Sequence, residues 1–120
     1  MADHAPTYQA DCPFCRIAAG EIPVEVVFQD EAVVLFNDIN SKAPTHVLAI
    51  PRRHLASASE LTDADADLLA ALFRAMRRVA DEAGLKGYRI LTNVGLEAGQ
   101  SVFHLHFHLL GGRPMAWPPG

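Results

Sequence analysis

Three histidines at two-residue spacing, His104, His106 and His108, give this chain its clearest chemical capacity. They alternate with Phe103, Leu105, Phe107 and Leu109, so the period of two predicts a strand over 103–109 with imidazoles on one face and apolar side chains on the other. Half of the chain's six histidines fall in this short run. Imidazoles titrate near neutrality, and a row of them is a poor choice if only stability mattered. A strand rises ~3.3 Å per residue, which spaces neighbours in the row about 6.6 Å apart and the outer pair about 13 Å. Two adjacent rings could share a metal; three on one flat strand could not readily do so. The pattern therefore points to a division of labour in which one imidazole is a nucleophile and its neighbours do different jobs. Neutral imidazole attacks phosphorus well and leaves well once protonated, which suits a two-step group transfer through a covalent intermediate.

The second group of chemically capable residues is Cys12-Pro13-Phe14-Cys15. Two cysteines at this spacing point to metal or redox use rather than a structural disulfide in a reducing compartment. Joined by two distant histidines they would complete a closed, tetrahedral Cys2His2 zinc site. His54, just past a strand end at Pro51, and His104, the first of the row, are the expected partners, because sparing His104 leaves the other two histidines free. A pair of free thiols is the alternative. The formal net charge of -4 argues against a nucleic-acid binder, which needs a basic surface. A small anion needs only a few local donors, for which Lys42, Arg52, Arg53 and Arg113 are candidates. No basic segment followed by an apolar run opens the chain, and no window approaches the ~18 apolar residues that cross a bilayer. The expectation is a cytoplasmic protein without membrane or nucleic-acid partners.

The elements that position these groups read as one α+β domain with an antiparallel sheet of about five strands. Residues 1–10 read as a flexible leader, 11–120 as the domain, and 111–120, rich in Gly and Pro, as a C-terminal tail whose Trp117 should be buried in its own subunit or another. A short N-terminal helix is expected from Pro13 to Ala19, stopped by Gly20. Val24–Phe28 and Ala32–Asn37 read as a hairpin, and Thr45–Ile50 as a buried strand ended by Pro51. One long helix begins at Thr62, an N-cap with Asp65 at the reciprocal capping-box position, and stops at Gly84. Leu68, Leu69, Leu72, Phe73, Met76, Val79, Ala80 and Ala83 form its apolar stripe, with Arg74, Arg77 and Arg78 on the solvated face. Tyr88–Asn93 is a further strand, and a Gly-containing loop, 94–100, leads into the histidine row.

The segment His104-Leu105-His106-Phe107-His108-Leu109-Leu110 resembles the signature of the histidine triad superfamily. Gly20-Glu21-Ile22-Pro23, Asp38-Ile39, Ala43-Pro44-Thr45-His46, Gly87-Tyr88-Arg89, Gly99-Gln100-Ser101-Val102 and the run from Gly111-Gly112-Arg113 through Trp117-Pro118-Pro119-Gly120 are similar to its Hint branch. The resemblance implies a purine nucleoside phosphoramidase. His106 would be the nucleophile, His108 a donor to a phosphate oxygen, and the chain around His104 the element that orients the nucleophile. Ser101 and Asn93 would lie near the phosphate and leaving group, beside the backbone of Gly99 and Gln100. Asp38 would hold the ribose hydroxyls; Phe14, Ile17, Phe36 and Ile39 would sandwich the base; His46 would stand behind the site. The resemblance further implies a homodimer, with the Trp117 tail reaching toward the neighbouring subunit's site, and no catalytic metal. The two cysteines match only those members of the branch that bind zinc. A dinucleoside polyphosphate hydrolase, or a nucleotide-binding interaction module with residual hydrolysis, remains open at this point.

Overall fold

The computed structural model describes residues 8–120. The elements run α1 (Pro13–Ala18), β1 (Val26–Gln29), β2 (Val33–Asn37), β3 (Thr45–Pro51), α2 (Ala66–Glu82), β4 (Tyr88–Leu91) and β5 (Phe107–Gly111), with short 3-10 turns at Ala58–Glu60, Asp63–Asp65 and Leu96–Ala98. The sheet has five strands in the order β1-β2-β3-β5-β4, and all neighbours are antiparallel. This is the expected α+β architecture, with one long and one short helix. Of the expected leader, residues 1–7 lie outside the described residues; Tyr8 donates to Glu21 Oε1 at 2.8 Å.

Strand alternation divides the core between the two faces of the sheet. Val33 and Leu35, Val47 and Ala49, and Phe107 and Leu109 face α2, where they pack with Leu72, Ala75, Met76, Val79 and Ala80. Val34 and Phe36, with Leu48 and Ile50, face the opposite way and pack with Cys12, Phe14 and Cys15 of the α1 region. His108 pairs in register with Leu48, so it belongs to this second face. The sheet thus puts its best-packed layer under the long helix and leaves the other face for chemistry.

The expected capping box forms, but it caps the 3-10 turn Asp63–Asp65, and the long helix itself starts after that turn, at Ala66. Thr62 accepts from Ala64 N at 3.2 Å, and Asp65 Oδ2 accepts from Thr62 N at 2.9 Å, closing the capping box. Asp65 also pairs with Arg53 Nη2, which ties the helix start to the segment after β3. A cap of this kind stabilises a helix by ~1 kcal/mol. Gly84 takes a φ of 71°, the left-handed stop that a side chain disfavours. Phe73, expected in the stripe, is half exposed but sets its ring on Phe107 at 5.4 Å. Arg74, Arg77 and Arg78 are exposed as expected, and Arg78 pairs with Glu82 at 3.3 Å.

The histidine strand is shorter than the alternation predicts. It begins at Phe107 rather than Phe103, and residues 101–106 leave the sheet. The last register pair between β3 and β5 is Ala49 with Phe107. Continued in register, Ile50 would face His106 and then Pro51, which has no N–H to give the ladder, would face Leu105. Leu105 N instead donates to Leu55 O at 2.6 Å. β4 likewise ends at Leu91, short of Asn93. Among the described residues Trp117 finds no cover and is 81% exposed.

Candidate functional site

The site lies on the α1 face of the sheet, and its geometry follows from hydrogen bonds that assign a proton to each imidazole. His106 Nδ1 lies 2.8 Å from the carbonyl oxygen of His104. A carbonyl only accepts, so Nδ1 carries the proton and Nε2 is left with its lone pair. His106 is 7% exposed, and Phe14 sets an edge against its ring at 5.0 Å and 89°. Thr92 Oγ1 donates to the carbonyl of His106 at 2.7 Å, holding the backbone from the other side.

A second chain of bonds fixes His108. Lys42 N donates to His46 Nδ1 at 3.0 Å, so His46 carries its proton on Nε2. That atom is 2.9 Å from His108 Nδ1 and 3.4 Å from Asp38 Oδ2. His108 Nδ1 therefore accepts, and its Nε2–H remains to donate. The rings of His106 and His108 stand 5.2 Å apart. A lone pair on one and a donor on its neighbour are complementary to phosphorus and a phosphate oxygen respectively. Burial, with the His106 and His46 rings close by, pushes His108 down to about 4, so it is neutral at pH 7. His46 is lowered as well, chiefly by burial and despite Asp38.

Both rings open onto a cavity of about 880 Å³. Phe14, Ile17, Phe36 and Leu48 give it an apolar wall, and Asp38, Asn93, Ser101 and Lys42 bring polar groups to it. Ile39 is at its rim, 94% exposed. Asp38 is held by its own loop: Oδ1 accepts Asn40 N at 2.8 Å, and its backbone N donates to His46 O at 2.9 Å. Of the four basic residues considered as anion donors, only Lys42 lines this cavity. Arg52 is spent on Asp30 O and Ala18 O, Arg53 on Asp65, and Arg113 on Lys42 O.

Gly99, Gln100 and His104 do not line the cavity. Gln100 is 3% exposed and braces the loop: Nε2 donates to Ala56 O at 2.7 Å and Val102 O at 3.1 Å, while Oε1 accepts Gly95 N at 2.9 Å. Gly99 closes the Leu96–Ala98 turn with a φ of 88°. Asn93 Nδ2 donates to Ala98 O at 2.7 Å, which leaves its oxygen free. The sequence reading missed Leu48 in the wall, although its parity with His46 on one strand is a usable signal. It also missed Thr92, for which no local pattern gives a sign.

His104, fully buried, turns away from the cavity into the second cluster. Its Nε2–H donates to Pro51 O at 2.9 Å, leaving Nδ1 as a ligand. Nδ1 is 3.3 Å from Cys12 Sγ, 3.5 Å from Cys15 Sγ and 3.2 Å from His54 Nδ1, and Cys15 Sγ is 3.4 Å from His54 Nδ1. The edges of a tetrahedron built from Zn–S and Zn–N bonds are about 3.3 to 3.8 Å. The four atoms lie within 4.8 Å of one another. Burial, with Cys12 beside it, pushes the Cys15 thiol up to about 11, so a thiolate at this position calls for a cation. The donor set, its spacing and its burial fit zinc of the closed structural kind. Asp38, His46 and His108 also converge. They do not fit a metal: if His46 Nε2 were a ligand, Nδ1 would need the proton, and the Lys42 N–H already points at it.

Two measurements follow. Elemental analysis should find about one zinc per chain, lost when Cys12 and Cys15 are both replaced by serine; a metal-free wild type contradicts the cluster's assignment. On acidification, unfolded His108 takes a proton near pH 6.5 but the folded ring only near 4, so the fold loses stability as pH falls through that window. Nitrogen NMR should show the His108 ring neutral at about pH 5.5; a midpoint at or above the ordinary value contradicts it.

Comparison with known proteins agrees with this arrangement. A family model described as "Scavenger mRNA decapping enzyme C-term binding" matches residues 11–116. A HIT-like protein of Synechocystis is 44% identical over 111 residues, covering 92% of this chain and 97% of its own. A "14 kDa zinc-binding protein" of Zea mays is 43% identical over 121 residues, covering 98% and 91%. The crystal structure of a HIT family hydrolase from Legionella pneumophila superposes with a TM-score of 0.90 at 48% identity, over 92% of this chain and 100% of that one. With its fold shared and the triad placed as the signature requires, the chain belongs to the HIT, or histidine triad, superfamily.

Proposed function

We propose that this protein is a nucleotidyl hydrolase of the Hint type that cleaves the P–N bond of purine nucleoside 5'-phosphoramidates. The observation that carries this reading is the unprotonated Nε2 of His106 at the cavity, its proton committed to the His104 carbonyl on the far side of the ring. In the first step Nε2 bonds to the α-phosphorus while the P–N bond to the amine breaks, the amine nitrogen taking a proton from solvent as it leaves. In the second, water attacks phosphorus and gives a proton back to solvent, the bond to His106 breaks, and the nucleoside monophosphate departs with His106 again neutral. His108 Nε2–H donates to a phosphate oxygen as negative charge builds there.

The remaining groups bind and orient. Asp38 accepts from the ribose hydroxyls, with Oδ2 free of backbone bonds. The base lies between Phe14 and Ile17 on one side and Phe36 and Ile39 on the other. Ser101, exposed beside the triad, and the free oxygen of Asn93 serve the phosphate and the leaving amine. Gln100 acts from behind, through the loop it braces. Zinc at Cys12, Cys15, His54 and His104 would supply a rigid crosslink and takes no part in the bond changes. The exposed Trp117 and tail suit a homodimer in which this segment approaches the neighbouring site. Among the described residues no helix is long and apolar enough to cross a membrane.

Replacing His106 with alanine should lower turnover of an adenosine phosphoramidate by on the order of 1,000-fold or more with the fold intact. A near-normal rate in that variant refutes the assigned nucleophile. A wild type that turns over a diadenosine polyphosphate faster than the phosphoramidate would move the assignment to polyphosphate hydrolysis by the same covalent step.

A further inference from the structure

His104 belongs to two sites at once. Its Nδ1 sits among Cys12, Cys15 and His54, while its carbonyl oxygen, 2.8 Å from His106 Nδ1, sets the tautomer of the neighbouring ring. No ladder bond holds this stretch, because β5 starts only at Phe107. What holds it is the His104 bond to Pro51 O and the Leu105 bond to Leu55 O, the latter next to His54. The cysteine half of the cluster reaches the same ring by another route. Phe14, fixed between Cys12 and Cys15, is the side chain whose edge packs on His106 at 5.0 Å. Phe14 also touches His104, with ring centroids 6.0 Å apart.

Two of the contacts that aim the His106 ring therefore run through the cluster. One is a hydrogen bond from the His104 backbone, and the other is packing from the Cys12–Cys15 turn. We propose that the loaded cluster of Cys12, Cys15, His54 and His104 is the positioning device of the nucleophile, holding the ring's tautomer and direction from behind without touching substrate. This rests on His106 being the nucleophile. A cation bonded to all four groups locks the His104 backbone and the α1 turn to one point. Without it, two buried thiols and two imidazoles have only weak mutual bonds, and the peptide that carries the His104 carbonyl is held only by the Leu105 N–H bond to Leu55 O and the ring's bond to Pro51 O. The core under α2 contains none of the four residues, so the sheet and long helix keep their main packing when the metal leaves.

The arrangement predicts a specific split in the kinetics. Removing the metal, by chelation or by Cys12→Ser with Cys15→Ser, should lower kcat by about 10- to 100-fold, with a smaller change in KM. Circular dichroism should still report the helix and sheet. At one fixed pH, nitrogen NMR of the loaded protein should show His106 as a single Nδ1–H tautomer, and of the metal-free protein a mixture. Reloading with zinc should restore both, and so should Cys12→His, which keeps a fourth ligand. A metal-free protein with unchanged kcat, or with unchanged His106 nitrogen signals, overturns the proposal. Should the metal-free protein unfold, cadmium-loaded wild type carries the test, since longer ligand bonds displace His104 with the fold intact. A kcat several-fold below the zinc form at similar KM supports the inference; equal kcat overturns it. If His106→Ala retains turnover, the nucleophile assignment fails first. If that variant is inactive while the metal-free protein keeps full kcat, only the positioning role fails.

Discussion

One hydrogen bond organises the chemistry of this molecule: the proton on His106 Nδ1, given to the carbonyl of His104. A neutral imidazole has one donor and one acceptor nitrogen, and which is which must be set from outside the ring. A carbonyl oxygen can only accept, so a ring flipped to the other tautomer would place lone pair against lone pair. Leaving a buried polar group unsatisfied costs ~1–3 kcal/mol, and each ~1.4 kcal/mol is a tenfold population ratio. The bond thus keeps most molecules with a lone pair at the cavity. The mirror-image device fixes His108, where the amide of Lys42 forces the proton of His46 outward and makes His108 a donor. Two backbone groups, a carbonyl and an amide, give two histidines of one row opposite roles.

The fold serves this pair of assignments. Placing His108 beside Leu48 at the centre of the sheet makes it immobile, while ending the ladder at Phe107 frees residues 104–106 to turn a carbonyl back toward a side chain. A strand continuing to Phe103 would have committed that carbonyl to a neighbour. The break that the alternating pattern concealed is thus what permits the bond between His106 Nδ1 and that carbonyl. The same break lets His104 leave the cavity and join the cysteines. One row of three histidines therefore supplies a buried ring among the cysteines, a ring with its lone pair at the cavity and a ring with its N–H there.

Much of this was legible before any coordinates. The capping box at Thr62 and Asp65, the stop at Gly84 and the hairpin of β1 and β2 rest on local rules, and the structure follows them. The convergence of Cys12, Cys15, His54 and His104 could be read because the two cysteines constrain the chemistry so tightly that few histidines qualify. Less legible was anything that depends on a bond between distant backbone groups. The departure of the chain before β5 depends on Leu55, which takes the Leu105 N–H, and the bracing role of Gln100 on Ala56 and Gly95. Thr92 reaches His106 just beyond the ends of the neighbouring strands β4 and β5. Trp117 was expected under cover in its own subunit or another, and among the described residues it has none; a tail of Gly and Pro carries no periodicity that tells which surface it meets.

The most direct test of the account is a single turnover of an adenosine phosphoramidate, quenched before hydrolysis is complete and digested for mass analysis. The account predicts an acid-labile adenylyl group on the peptide that contains His106, absent from the same peptide of the His106→Ala protein. Turnover with no protein-bound nucleotide at any time, or an adenylyl group on His104 or His108 instead, would contradict it.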